Sequence, residues 1–310
     1  MIVLFSSIGD NAEHWRAGLA RHFADLDFRV WPDEVGDPAE IEFAVVWSPE
    51  RGALKRFLNL KGIFSLGAGV DHLLRDPDLP RNVPIVRLID DGLTQGMTEY
   101  VVHWVLHAHR EFPAFADAQR RVEWEKRPMA VAAERRVGII GLGQLGKAAT
   151  VPLVGLGFPV AGWSRTAKDV DGVESFHGAD GLRPFLGRTD ILVCLLPLTP
   201  DTAGVIDADA IQTLPVGAFI INAARGAHVV DDDLIAGLES GHLAGAVLDV
   251  FHTEPLPTEH PFWTHPKVIV TPHMASLTNT TSATETVAAN IKRLLAGEMP
   301  AEVIDLDRGY

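Results

Sequence analysis

The chain has 310 residues, 47% hydrophobic and 22% charged, the proportions of a folded globular protein long enough for two domains. Its net charge of −14 argues against nucleic acid and anionic membrane as partners, since both need basic surface. One cysteine, Cys194, excludes an intrachain disulfide; with no basic leader and no apolar run of spanning length, the expected location is the cytoplasm.

Residues 1–100 alternate short apolar runs with amphipathic ones. The runs Ile2–Phe5, Phe28–Trp31, Phe43–Trp47, Gly62–Ser65 and Ile85–Arg87 read as strands, with helical patterns at Glu13–Asp25 and Arg51–Leu58. That alternation predicts a parallel α/β sheet. After Ser65 comes Leu66-Gly67-Ala68-Gly69-Val70-Asp71. Such a turn either aims successive backbone N–H groups at one anion or is a plain tight turn.

Thr98–Glu111 reads as one helix carrying His103 and His107 on the same face. No acid lies between them as in H-E-x-x-H and no third ligand is evident, so no metal site is expected. Phe112–Arg127 is more polar and reads as a connector or arm, with Trp124 standing out.

A second βα series begins at Val137, with strands expected at Val137–Ile140, Pro159–Trp163, Ile191–Leu196, Ala218–Asn222, Gly245–Leu248 and Val268–Thr271. A final helix is expected over Thr284–Leu295, stopped by Gly297. The first strand runs into Gly141-Leu142-Gly143-Gln144-Leu145-Gly146, a G-x-G-x-x-G between strand and helix. Gly141 permits the tight turn, Gly143 lets a pyrophosphate approach the backbone, and Gly146 lets helix lie close to strand. The helix start then presents unpaired N–H groups to the phosphates. This is a dinucleotide site on a doubly wound sheet.

An NAD site of this kind places Asp or Glu at the end of the second strand to hold the ribose 2′-hydroxyl. Here the strand runs into Trp163-Ser164-Arg165-Thr166-Ala167-Lys168, with no acid in that stretch. Arg165 can fork onto a 2′-phosphate, Lys168 adds a point charge, and Ser164 and Thr166 offer hydroxyls. A solvated basic loop is the plainer account of any one of these residues, but a missing acid together with gained base points to NADP(H) over NAD(H).

Three polar groups fall just beyond strand ends, the rim where open α/β sheets bind ligands: Arg225 after Ala218–Asn222, Glu254 after Gly245–Leu248, and His273 after Val268–Thr271. A helix cap, a surface acid and a satisfied histidine are the separate alternatives. Asp231, Asp232 and Asp233 read as helix N-terminal acids.

These residues, together with Leu66–Asp71, Leu195–Pro197, Leu248–Phe251 and the final Arg308-Gly309-Tyr310, carry a resemblance to the D-2-hydroxyacid dehydrogenases along essentially the whole chain. It is nearest to the branch that reduces glyoxylate and hydroxypyruvate. The resemblance implies two Rossmann-like domains. A flavodoxin-like substrate domain would comprise residues 1–100 and 281–310, and an NAD(P)-binding domain residues 101–280. It implies that Arg225 holds a small 2-oxo acid, that His273 is the general acid, and that Glu254 hydrogen-bonds and orients His273. Ala68, Gly69 and Val70 would supply backbone donors to the substrate carboxylate, which favours the first reading of that turn. Asp249 would hold the nicotinamide carboxamide, Leu196 and Pro197 would wall the adenine pocket, and Ala223 would line the cofactor site. Trp47, with Leu66 and Met97, would keep the substrate pocket small; core packing accounts for it equally. The resemblance also implies a homodimer, with Trp124 in the contact. Two readings stand beside this one: a dehydrogenase for a bulkier 2-oxo acid, and a non-catalytic NAD(P)-binding sensor or scaffold.

Overall fold

Strand β1 (Ile2–Ser7) lies inside a five-stranded parallel sheet of the computed structural model, which describes residues 1–310. It pairs with β2 (Asp27–Val30) on one side and β3 (Phe43–Trp47) on the other, followed by β4 (Gly62–Ser65) and β5 (Ile85–Val86). The order β2-β1-β3-β4-β5 is the flavodoxin-like one. Helix α1 (Ala12–Ala20) starts at Asn11, whose side chain accepts the N–H of Glu13 and His14, and α2 (Asp71–Leu74) is a single turn after β4. This unit comprises Met1–Leu93 with Leu277–Tyr310.

The returning C-terminal helix belongs to the same unit. Helix α3 (Asp91–His109) leads out of the unit, α4 (Phe112–Arg120) follows, and the last helix, α9 (Thr280–Leu295), comes back. Its buried stripe of Ala283, Thr284, Val287, Ala288 and Ile291 packs with Phe5, Trp15 and Leu19. Close approach is possible because Gly18 faces Thr284: a Cβ on Gly18 would lie 2.6 Å from the threonine methyl.

The second unit, Thr94–Ser276, is built on a seven-stranded parallel sheet. Its chain order is β6 (Val137–Ile140), α5 (Gln144–Gly155), β7 (Val160–Ser164), β8 (Val173–His177), α6 (Gly178–Gly187), β9 (Ile191–Cys194) and α7 (Ala208–Thr213). Then come β10 (Ala218–Asn222), α8 (Asp231–Glu239), β11 (Leu243–Leu248) and β12 (Val268–Val270), before α9 (Thr280–Leu295). The sheet order β12-β11-β10-β9-β6-β7-β8 reverses direction at β6, so β6 and β9 flank the switch point where such sheets bind ligands. Successive residues of β6 and β10 alternate between two apolar clusters, one on each face: Ile140 and Ile220 in one, Ile139 and Ile221 in the other. Cys194 sits in this core, where burial pushes its thiol up to about 12.

The chain departs from the sequence expectations at identifiable places. Six strands are expected in the second unit and seven form; the extra one, β8, is Val-Glu-Ser-Phe-His at the sheet edge, too polar to read as an apolar run. Helix α3 begins at Asp91 rather than Thr98, because Asp90 caps it by accepting the N–H of Leu93 at 2.7 Å. Gly92 and Gly96, poor helix formers, hide that first turn. They are there for contact: added Cβ atoms would lie 2.7 Å from the hydroxyls of Ser282 and Ser276 respectively. The expected helix over Arg51–Leu58 is only a short 3₁₀ turn, Leu54–Arg56. The expected polar arm contains α4 and loses regular structure only beyond it. No helix is long and apolar enough to cross a membrane.

Candidate active site

The glycine loop after β6 has the geometry its spacing implies. Gly141 adopts φ +112°, and a Cβ there would lie 2.7 Å from the main chain of Leu195. A Cβ on Gly146 would lie 1.9 Å from the Gly141 carbonyl oxygen, so only glycine lets α5 start this close to β6. On Gly143 a Cβ would meet nothing within 4 Å, leaving open space for a phosphate to approach. Helix α5 has no side-chain cap and no acid in its first turn, so its leading amides remain for an anion. Leu142 is buried against Gly162 and offers only its backbone, whereas Gln144 is exposed and Leu145 half-buried.

Beyond β7, the buried Ser164 donates its hydroxyl to the Thr166 carbonyl at 2.8 Å and tightens the turn. Arg165, Thr166 and Lys168 are exposed on that turn. Beyond β9, Leu196 is buried in the same cluster as Trp163, and Pro197 is half-buried. Beyond β10, Ala223 is buried and its N–H reaches the Cys194 carbonyl at 3.3 Å. All of these lie at the carboxyl edge of the second sheet. Both the cradle and the basic turn fit a phosphorylated dinucleotide.

Arg225 follows in a turn built by its neighbours. Asn222 Nδ2 donates to the Arg225 carbonyl at 2.9 Å, and the fully buried His228 accepts the Arg225 N–H through Nδ1 at 3.1 Å. With Nδ1 accepting, a neutral His228 carries its proton on Nε2, which faces the Pro197 carbonyl at 3.3 Å. One buried imidazole thus ties the Arg225 turn to the loop after β9. Gly226 lets this turn press on the next loop, since its Cβ would fall 2.0 Å from the Phe251 carbonyl carbon.

Asp249, almost wholly buried, braces the segment that carries His273. Its Oδ1 accepts the Thr271 hydroxyl at 2.6 Å and the Met274 N–H at 2.9 Å; its Oδ2 accepts the Ala275 N–H at 2.9 Å. Its carbonyl accepts the His273 N–H at 2.8 Å. With the Thr271 proton committed to Asp249, the Tyr100 hydroxyl on α3 donates to Thr271 Oγ1 at 2.8 Å. Burial, first of all, holds that phenol well above its ordinary value, so it stays a donor. His273 needs this bracing, because it adopts φ +51°. A left-handed conformation costs a non-glycine residue on the order of 1 kcal/mol, less than the roughly 1.5–3 kcal/mol each of hydrogen bonds to a charged group, so the clamp wins.

His273 Nδ1 lies 2.6 Å from Glu254 Oε2, while Glu254 Oε1 accepts the Phe251 N–H at 2.9 Å. Burial pushes the Glu254 carboxyl upward. The bond to His273, the Phe251 amide and the charges of His273 and Arg225 outweigh burial and hold it below its ordinary value. Glu254 is therefore an ionised acceptor beside the His273 ring nitrogen. Arg225, Glu254 and His273, from three strand ends, form one electrostatic group.

In the first unit, Trp47 closes β3 and lays its ring against Gly67, whose Cβ would lie 2.7 Å from the indole, and against His72 at a centroid distance of 4.3 Å. Leu66 donates its N–H to Val46, and Gly67 accepts from Leu88, so the turn after β4 is anchored at its start. No group of the chain takes the N–H of Ala68, Gly69 or Val70. Three successive donors are thus left for an anion.

Sequence reasoning passed over His228, Gly226, Tyr100, Thr271 and His72. The spacing of His228, one 3₁₀ turn beyond Arg225, is the one local signal among them.

Residues 102–275 match the D-isomer specific 2-hydroxyacid dehydrogenase family, NAD binding domain. The chain is 43% identical, over 315 aligned positions covering all of both chains, to glyoxylate/hydroxypyruvate reductase A of Serratia proteamaculans (strain 568). It is 44% identical to a D-isomer specific 2-hydroxyacid dehydrogenase from Xanthobacter autotrophicus Py2 in complex with NADPH and MES, with a TM-score of 0.96 and coverage of 100% and 99%. An NADPH-dependent glyoxylate/hydroxypyruvate reductase from Sinorhizobium meliloti, in complex with NADP and sulfate, is 39% identical, with a TM-score of 0.94 and the same coverage. The chain belongs to the D-isomer specific 2-hydroxyacid dehydrogenases.

Proposed function

We propose that this enzyme reduces a small 2-oxo acid with NADPH, converting glyoxylate to glycolate and hydroxypyruvate to D-glycerate. The observation that carries the reading is the convergence of Arg225, an ionised Glu254 and His273 beside a dinucleotide cradle. The names and bound cofactors of the similar proteins support both substrate and cofactor.

The second unit holds the cofactor and the first binds substrate. Gly141, Leu142, Gly143, Gln144, Leu145 and Gly146 cradle the pyrophosphate. Ser164, Arg165, Thr166 and Lys168 take the 2′-phosphate, and Leu196, Pro197 and Ala223 line the adenine and ribose sites. Asp249 has most of its acceptor capacity committed to Thr271, Met274 and Ala275; its remaining lone pair is available to the nicotinamide carboxamide. Bound NADPH supplies the hydride that reaches the carbonyl carbon. Arg225 pairs its planar donors with the substrate carboxylate and carbonyl oxygen. The amides of Ala68, Gly69 and Val70 hold the carboxylate, and Trp47 limits the substrate's length. His273 donates through Nδ1 to Glu254, which leaves Nε2–H to protonate the carbonyl oxygen as it becomes a hydroxyl. Glu254 accepts from the His273 ring and fixes its plane.

The enzyme works as a homodimer through its coenzyme units. Trp124 is 93% exposed and Val122 92%, a large apolar surface for one short segment, and a partner would cover it. The acidic charge and the lone buried thiol suit a cytoplasmic enzyme with no nucleic acid or membrane partner. The test is the initial rate of nicotinamide oxidation with glyoxylate and hydroxypyruvate, NADPH beside NADH. Turnover preferring NADPH is expected. Preference for NADH overturns the 2′-phosphate assignment, and absence of turnover overturns the reductase.

A further inference from the structure

The turn that presents the amides of Ala68, Gly69 and Val70 is held by a hydrogen-bond network centred on His72. Its Nδ1 accepts the N–H of Ser48 at 3.2 Å. A neutral imidazole with Nδ1 accepting carries its proton on Nε2, which lies 3.1 Å from the Ser65 hydroxyl oxygen. Nε2–H therefore donates to Ser65, whose own proton goes to the Gly69 carbonyl at 3.3 Å; Ser65 Oγ also accepts the Gly67 N–H at 3.4 Å. Ser65 is 1% exposed, so its oxygen depends on these partners.

Two further observations make His72 the centre of this arrangement. Ser48 adopts φ +46°, a left-handed turn directly after Trp47, and the bond to His72 holds its N–H. The His72 ring also supports the Trp47 indole, which lies across Gly67. One side chain therefore fixes the turn carrying the free amides, the bend after β3 and the tryptophan beside both.

We propose that His72 is a positioning residue for substrate: through Ser65 it aims the Ala68–Val70 amides at the 2-oxo acid carboxylate, and through its ring it seats Trp47. This rests on the reductase reading and names what presets its carboxylate subsite. In this role His72 acts through Ser65 and Trp47. A preset donor array matters because reorganising it on binding lowers affinity for the anion without altering the chemical step.

The experiment is steady-state kinetics of the full-length wild type and of His72→Ala, His72→Gln, His72→Asn and Ser65→Ala, with fluorescence titration of NADPH. In His72→Ala and Ser65→Ala the KM for glyoxylate should rise about tenfold, with kcat and the NADPH Kd within about twofold of wild type. Gln can reach Ser65 with a side-chain N–H whereas Asn reaches only Ser48, so His72→Gln should recover most of the KM and His72→Asn should not. If His72→Ala does not fold, Ser65→Ala and the Gln/Asn pair carry the test. An unmoved KM, equal behaviour of Gln and Asn, or parallel loss of kcat and NADPH binding overturns the positioning role. Absence of turnover in the wild type overturns the reductase reading, and the proposal with it; wild-type turnover with KM indifferent to His72 and Ser65 overturns the proposal alone.

Discussion

Gly226 has no room for a side chain because the main chain of Phe251 stands where its Cβ would be, 2.0 Å from the carbonyl carbon. The turn that carries Arg225 and the loop that carries Glu254 are thereby pressed backbone to backbone. Gly226→Ala must separate them. We expect it to destabilise the fold by about 3 kcal/mol or more and to lower kcat/KM, since neither main chain yields as a flexible side chain does. Urea unfolding with parallel kinetics checks this; an unchanged midpoint would mean the two loops separate without strain.

His273→Gln should lower kcat by about 10²–10⁴-fold while leaving the NADPH Kd within about twofold, because it removes a proton donor and not a cofactor contact. Glu254→Gln should also lower kcat, through loss of the ionised partner. Stopped-flow measurement of the reductive step, with NADPH bound beforehand, separates these effects from binding.

Glu254 also makes a prediction about acid. Its carboxyl lies below the ordinary value of 4.5 in the folded chain, so ionised Glu254 stabilises the fold at pH above that value. That stabilisation is lost as pH falls through the lower, folded value. The Tm of Glu254→Gln should therefore trail wild type near neutrality and converge on it as pH falls through that lower, folded value. Melting curves across that range decide it, and a gap that persists in acid contradicts the sign.

The clamp behind His273 can be opened by one atom. Thr271→Val removes the hydroxyl that Asp249 and Tyr100 share, leaving a strained histidine with one support fewer. A fall in kcat of about tenfold is expected, with recovery in Thr271→Ser and a smaller loss in Tyr100→Phe, which leaves the bond to Asp249 in place. Serine behaving like valine would mean that the methyl, and not the hydroxyl, is what matters.

For cofactor choice, Arg165→Ala with Lys168→Ala should weaken NADPH by about 10²-fold and leave NADH nearly unmoved, since each cation contributes a charge-assisted contact only to the 2′-phosphate. Comparing KM for the two cofactors tests this. Equal loss for both would place these residues elsewhere in the cofactor site.

Much of the catalytic unit is legible from local signals. The glycine loop follows a strand and opens a helix, and Arg225, Glu254 and His273 each follow a recognisable apolar run. What stays hidden depends on residues distant in the chain. Gly92 and Gly96 look like helix breakers until Ser282 and Ser276 are seen against them. His72 is an ordinary helix residue until Ser48 and Ser65 arrive from two other strand ends. The resemblance implies a cofactor role for Asp249, yet its grip on Met274 and Ala275 requires the chain to have folded back on itself.

Strand β8 was invisible in the sequence because it is polar, and that polarity has its own consequence. As the last strand of its sheet it pairs only with β7, leaving the other row of backbone donors and acceptors available to any passing chain. Exposed Glu174 and Ser175 make that margin a poor template for a foreign strand. The residues that blur the pattern for a reader thus keep neighbouring molecules from zipping together, and a more regular Val-Ile edge would trade solubility for legibility.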